Sequence, residues 1–353
     1  MTLGNPSAAQ ANRDINPAEE LAAAYPDLVC LLRNEAVSAA FAGYERTAVR
    51  WKRIYGFFGR LSLVAVLLAM VSFDYQITLK AVYGAPAFLS GFAALFAATG
   101  LISQALLGLS QAKDRWLAAR FAAERLRCFK FQLFTVLEEA PDAASLPALV
   151  NRHTAEGLAG LKAELQGGRA AILEFSPFDV LPLSRRKVAH ADAKLTQEAA
   201  SLYDILRFSV ESQHFDTYHR AHERDTKFPS LLAEFSFLAG AVLACIGILT
   251  TLLPVDGGLH RLFTQHGVME WLDFLTWMLF VLSAVVAIHE RGSAHQQNAE
   301  RYLTYAREIR RIRSGATAHM PHSHFEAVRE MEHLMLREIQ DFCRDVKHSN
   351  YIF

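Results

Sequence analysis

Polarity alone divides the chain into charged stretches, in which apolar residues recur every three or four positions, and four runs nearly empty of charge. The first run, Leu61 to Phe73, is bounded by Arg60 and Asp74, and the second extends uncharged from Ala81 to Ala112. The third, Phe235 to Val255, lies between Glu234 and Asp256, and the fourth, Phe274 to Ile288, follows Asp273. About 20 mostly apolar residues carry a helix across a hydrocarbon core roughly 30 Å thick, so the pattern predicts four membrane-spanning helices. The short first run reaches that length if Arg60 snorkels and Asp74 stands near the far interface. Modest connections, Asp74 to about Lys80 and Asp256 to Asp273, would join the runs into two hairpins.

The charged stretches read as amphipathic helices. Asn16-Pro17-Ala18-Glu19 is a helix start, with Asn16 as cap, Pro17 in the first turn and Glu19 at the third position. SLPALVNRHTAEGLAGLKAELQGG stops at Gly167-Gly168. A loop, EFSPFDVLPLSRR, then leads into a helical stretch from about Val188 to Lys227, with Pro229 at the entry of the third apolar run. Near the end, Ser323 and Glu326 have capping-box spacing, followed by Phe325, Val328, Met331, Met335, Ile339 and Phe342 at helical period.

Basic residues orient the hairpins. Arg50, Lys52, Arg53 and Arg60 precede the first hairpin and Lys113, Arg115, Arg120, Arg125 and Arg127 follow it, against Lys80 in its connection. The second has Arg224 and Lys227 before it, Arg291, Arg301, Arg307, Arg310 and Arg311 after it, and Arg261 between. Cytoplasmic loops carry the excess of Lys and Arg, so both termini and the segment between hairpins are expected in the cytoplasm.

A short motif repeats. Ala-Glu-Arg occurs at Ala123-Glu124-Arg125 and at Ala299-Glu300-Arg301, each soon after an apolar run, 176 positions apart. The same shift sets Ala65-Val66-Leu67 on Ala241-Val242-Leu243, and at a similar offset of 178 a Glu-Arg pair recurs at Glu45 and Glu223. The expected unit is a cytoplasmic helix, a membrane hairpin and a charged helix carrying the motif, repeated in the same orientation. Parallel repeats differ from the inverted repeats of many transporters.

Composition agrees with a membrane protein: 52% of the 353 residues are hydrophobic and 20% charged. Formal net charge is zero, so no overall basic field points to nucleic acid. Cys30, Cys128, Cys245 and Cys343 are widely spaced and read as reduced thiols. The first residues hold no basic segment followed by an apolar core, so no cleavable signal peptide is expected. The histidines His319, His322, His324 and His214, His219, His222 lack HExxH or paired CxxC framing, so no metal is expected. With no P-loop, GxGxxG, GxSxG or kinase signature, no enzyme and no cofactor are expected.

Two apolar helices, then a helix with Trp116, Arg120, Glu124-Arg125-Leu126-Arg127, Phe129 and Phe131, then an amphipathic closing helix: this arrangement resembles the SLATT family, two-transmembrane effectors of prokaryotic conflict systems. The second unit is similar, keeping Ala299-Glu300-Arg301, Tyr302 and Tyr305 without the tryptophan. The resemblance implies an inner-membrane protein that associates with nucleotide second-messenger synthases or other sensors and forms an oligomeric pore.

Candidate residues follow from position. Ser103, Gln104, Thr250 and Thr251 are polar groups inside apolar runs, which either bond a neighbouring helix or line water. Asp273, with Asp74, Asp256 and Glu270, would make the outer mouth of an oligomer mildly acidic, favouring cations, or would simply be solvated. Glu124, Arg125, Glu300 and Arg301 are candidates for packing or for gating ion pairs. Arg185, Arg186 and Lys187 form a basic cluster, interfacial or phosphate-binding.

The expected fold is an all-α integral membrane protein with four transmembrane helices in two parallel-repeated hairpins and long cytoplasmic helices forming a bundle. Its segments are an N-terminal helical region (1–54), the first hairpin with its Ala-Glu-Arg helix (55–140), a helical connector (141–221) and the second hairpin with its closing helix (222–353). The expected partners are the lipid bilayer, further copies of the chain, and a nucleotide second messenger or sensor protein, with no nucleic acid. A pore-forming or membrane-disrupting effector is the expected function, and a non-conducting scaffold the alternative.

Overall fold

The computed structural model describes residues 14, 15, 17, 19–78, 84, 88–166, 192–252, 267–293, 295–318 and 321–348. Among these the chain is all-helical, without strands. The helices are α1 (Glu19–Ala24), α2 (Val29–Leu32), α3 (Glu35–Thr78), α4 (Phe88–Ser110), α5 (Ala112–Gln132), α6 (Leu146–Gln166), α7 (Ala193–Tyr203), α8 (Ser209–Leu252), α9 (Val268–Ser293), α10 (His295–Ala318) and α11 (Pro321–His348). One order occurs twice: a helix of 44 residues, an apolar helix, a charged helix and a closing helix, as α3 to α6 and as α8 to α11.

Local chemistry sets several boundaries. The Asp192 carboxylate accepts from the backbone N–H groups of Lys194 and Leu195, capping α7, so the helix expected from about Val188 begins at Ala193 within the described residues. Gln111 has φ 49°, a left-handed conformation that ends α4 before α5. A π-helical turn, Asp204–Phe208, joins α7 to α8 without a break. Pro229 lies inside α8, where the helix runs through it instead of starting there. Likewise α11 begins at Pro321, two residues before Ser323, so Pro321 and not the expected capping box opens it. Asn16 and Gly167-Gly168 lie outside the described residues.

The chain divides into two compact units, one from Met1–Trp51, Lys113–Arg220 and Ala299–His348, the other from Lys52–Ala112 and Ala221–Asn298. The first is a helical bundle with an ordinary core. Leu28, Leu31, Phe41, Phe121, Phe129, Phe131, Phe134, Leu202, Ile309, Val328 and Met331 are all buried in it. Its centre is α5, which hides apolar residues on every side, as a helix inside a core must. Phe129 packs so closely on Gly157 of α6 that a Cβ there would stand 2.3 Å from its ring.

In the second unit the apolar residues face outward. Leu101 is 73% exposed, Phe235 70% and Trp277 59%. Leaving a large apolar side chain in water forfeits about 1.5–3 kcal/mol of burial each, so such surfaces suit hydrocarbon. Among the described residues, four helices are long and apolar enough to cross a membrane. The α8–α9 contacts pair rising with falling numbers: Ala233 with Ser283, Gly240 with Phe280, Gly247 with Leu272, Thr250 with Met269. That order makes the two helices antiparallel.

Candidate functional site

The bundle hides an unusual amount of charge, and α5 supplies most of it. Arg120, Glu124 and Arg127 follow one another at spacings of four and three, so they share one stripe of the helix. Arg120 Nη2 lies 2.6 Å from the Glu124 carboxylate, and Arg127 Nη1 lies 3.0 Å from it. Burial pushes the Glu124 carboxyl up, but the two guanidiniums outweigh it and hold the group at about 2. Arg120 also reaches Glu45 of α3, and Arg127 reaches Asp14 while stacking over the Phe41 ring. One turn on, the Lys130 ammonium donates to the carbonyls of Asp14 and Ile15. Burial drops its pKa to about 8, against the pull of Asp14.

A second cluster centres on the π-helical turn. Arg207 is completely buried and grips Glu332 of α11, itself completely buried, with Nε and Nη2 on the two carboxylate oxygens. Tyr203 donates its hydroxyl to the same carboxylate at 2.7 Å, Glu211 pairs with Arg207 Nη1, and the guanidinium stacks over Phe131 at 4.7 Å. Asp204, opening the same turn, pairs with Arg313 of α10. π-turns recur at functional sites because the extra residue re-aims the side chains around it.

The third cluster joins α10 and α11. Arg301 lies 3.6 Å from Glu338 and 3.2 Å from Asp345, between the rings of Tyr302 and Phe342. Burial lifts the Glu338 carboxyl to about 7, only partly opposed by Arg301.

The structure therefore separates the residues of the repeated motif. Glu124 and Arg125 lie in the bundle interior, Arg301 at the α10–α11 contact, and Glu300 is exposed. The two copies do not occupy equivalent surroundings. Arg207, Glu211, Tyr203, Asp14 and Glu332 were not singled out from the sequence. A signal for Glu332 exists: it lies four residues from both Val328 and Leu336, on the apolar stripe of α11. Such a glutamate must find a buried cation.

In the other unit, polar groups meet between apolar helices. Ser103 is buried, and Gln104 Nε2 donates to Ser62 Oγ at 2.9 Å, which donates to the Gly100 carbonyl. Thr250 is buried and bonds the Gly247 carbonyl. Asp273 is exposed, with Glu270 and Asp74 half-buried. Tyr75 and Phe274 meet edge to face, and their neighbours Asp74 and Asp273 lie within electrostatic reach. Asp256, the Thr251 side chain and Arg185, Arg186 and Lys187 lie outside the described residues, as do His319 and the His322 side chain.

No protein-family model matches the chain, and neither a curated protein nor a solved structure is similar to it.

Proposed function

We propose that this chain is a membrane effector of a prokaryotic anti-phage or conflict system, which oligomerises to form a pore or disrupt the inner membrane on receipt of a nucleotide or a partner protein. The observation that carries this reading is the union, in one chain, of four helices fit to cross a membrane and a bundle whose interior is held by buried ion pairs. Buried pairs are costly to break singly and give packed helices discrete arrangements, which a two-state device requires. A signal that rearranges these pairs would act on α3 and α8, each of which contributes residues to both units. In this reading α3–α4 and α8–α9 are two hairpins of a parallel duplication, with both termini in the cytoplasm.

The alternative, a non-conducting scaffold that recruits a partner through its cytoplasmic helices, is favoured by one set of contacts. Gln104–Ser62, Thr250–Met269 and Ser283–Ala233 join polar groups across neighbouring helices of the chain, the pattern of helix glue and not of a wet pore.

The test is dye and ion leakage, with growth arrest, after inducing the protein alone and with a candidate activating sensor, for wild type and Asp273→Asn. Leakage that requires the sensor, with cation preference weakened in the variant, supports a gated pore. A correctly inserted protein that never leaks leaves the scaffold.

A further inference from the structure

α3 approaches its apolar run through a stretch that contains no carboxylate. From Arg46 to Phe73 it carries Arg46, Arg50, Lys52, Arg53 and Arg60 and neither Asp nor Glu. Arg53, Phe57 and Arg60 are spaced by four and three residues, so they share one side of the helix, and Val64 and Leu68 continue that side into the apolar run. All five are exposed, Phe57 by 62%. Among the described residues, neither Arg53 nor Arg60 has an ion pair or hydrogen bond. Phe57 meets Phe58 edge to face, placing an aromatic pair at the level of these cations.

Each feature narrows the partner. Two guanidiniums without acceptors among the described residues match phosphate oxygens, which the planar fork binds in pairs. Seven residues at 1.5 Å each place Arg53 about 10 Å beyond Arg60, within reach of one headgroup layer, whereas Arg46 stands roughly 20 Å away, beyond a Debye length of about 8 Å. Aromatic rings between the cations and aliphatic residues below them match a glycerol and acyl boundary, which a free phosphate lacks. A zwitterionic lipid also brings an ammonium, and this stretch offers it no carboxylate. An anionic lipid brings none.

We propose that Arg53 and Arg60 of α3, with Phe57 between them, hold the phosphodiester headgroup of an anionic phospholipid where the helix enters the bilayer. This rests on the reading of α3 as a membrane-crossing helix, and one experiment separates the two. The full chain is reconstituted in phosphatidylcholine vesicles containing a little labelled phosphatidylglycerol or labelled phosphatidylcholine, and the relative association of the two labels with the protein is measured. Wild type should prefer phosphatidylglycerol. Arg53→Gln and Arg60→Gln should each reduce the preference about five-fold, the effect of roughly 1 kcal/mol per basic residue near a surface. The Arg→Lys variants should lose less, Arg46→Gln should change nothing, and inorganic phosphate should not compete. Carbonate washing of the same vesicles reports insertion of every variant. If wild type stays inserted but shows no preference, or the double glutamine variant keeps it, the lipid site is wrong while the spanning helix stands. Competition by phosphate would assign the arginines to a soluble anion and also overturn the proposal. If wild type washes out, the spanning reading fails first.

Discussion

Arg207 Nε and Nη2 stand 2.9 and 3.0 Å from the two carboxylate oxygens of Glu332, a two-pronged ion pair in which both residues are removed from solvent. The donor sits in a π-helical turn and the acceptor on the apolar stripe of the closing helix, so the pair ties a backbone irregularity to the last described helix. Desolvating two charges costs about as much as their attraction returns, and the pair acts more to specify one packing than to add stability.

From this follows an asymmetry between single and paired replacement. Glu332→Gln should destabilise the bundle by about 3–5 kcal/mol, because it leaves Arg207 with only Glu211. The double change Arg207→Met with Glu332→Leu should cost much less, since Phe131 and Tyr203 can pack against the new side chains. Thermal unfolding of the detergent-solubilised chain, followed by circular dichroism, measures both. Equal losses would mean that packing volume, not charge, governs the site.

Acid and neutral pH should pull the bundle in opposite directions. Glu124 is held at about 2 when folded, against 4.5 for the free group, so its contribution is complete above about 4.5 and disappears as pH falls toward 2. At 1.36 kcal/mol per pKa unit, that is at most roughly 3 kcal/mol. Glu338 is held up at about 7, so between 4.5 and 7 the folded state holds the extra proton and stability declines as pH rises. The Glu124 and Glu338 contributions to melting temperature together are therefore largest at mildly acidic pH, while His324, held at about 4 by burial, adds an opposing rise toward neutrality. Glu338→Gln should flatten the decline toward neutrality, and Glu124→Gln should flatten the acid limb. A Glu338→Gln variant that keeps the wild-type slope there would remove Glu338 from this role.

Two glycines of α6 should respond oppositely to alanine. At Gly157 a Cβ would meet the Phe129 ring at 2.3 Å, so Gly157→Ala must displace a core aromatic and should cost about 1–3 kcal/mol. Gly160 has open space around it, and Gly160→Ala should stabilise by about 0.5–1 kcal/mol through helix propensity alone. Denaturant midpoints of the two variants test the packing of α5 on α6.

How much of this was legible in the sequence depends on the range of the interaction. The apolar runs announce themselves through local composition: α3 and α9 contain the first and fourth runs, and α4 and α8 hold Phe88–Ser110 of the second and Phe235–Leu252 of the third. The π-turn left no such mark: nothing in Asp204-Ile205-Leu206-Arg207-Phe208 separates it from an α-helix until Glu332, 125 residues away, is in place. Glu124 and Glu300 read alike because their neighbours in sequence are alike, yet one is surrounded by Arg120 and Arg127 and the other faces solvent. Partners distant in sequence decide whether a charged helical residue becomes core or surface.

Gln104 tests whether polar residues in the apolar helices are glue or pore lining. Its amide donates to Ser62 Oγ at 2.9 Å, and Ser62 passes the bond to the Gly100 carbonyl, at a place where a Cβ on Gly100 would crowd Val66 at 3.2 Å. Close backbone approach with a shared hydrogen bond is how helices associate in hydrocarbon, where such a bond contributes about 0.6–2 kcal/mol. Gln104→Leu should therefore lower the melting temperature by a few degrees, and Ser62→Ala with Gln104→Leu should cost little more than the single change, because both remove one network. Ion selectivity in leaking vesicles should stay as in wild type. A selectivity change with an unchanged melt would instead place Gln104 on a water-filled path, and the α3–α4 contact would then be a wall of the pore.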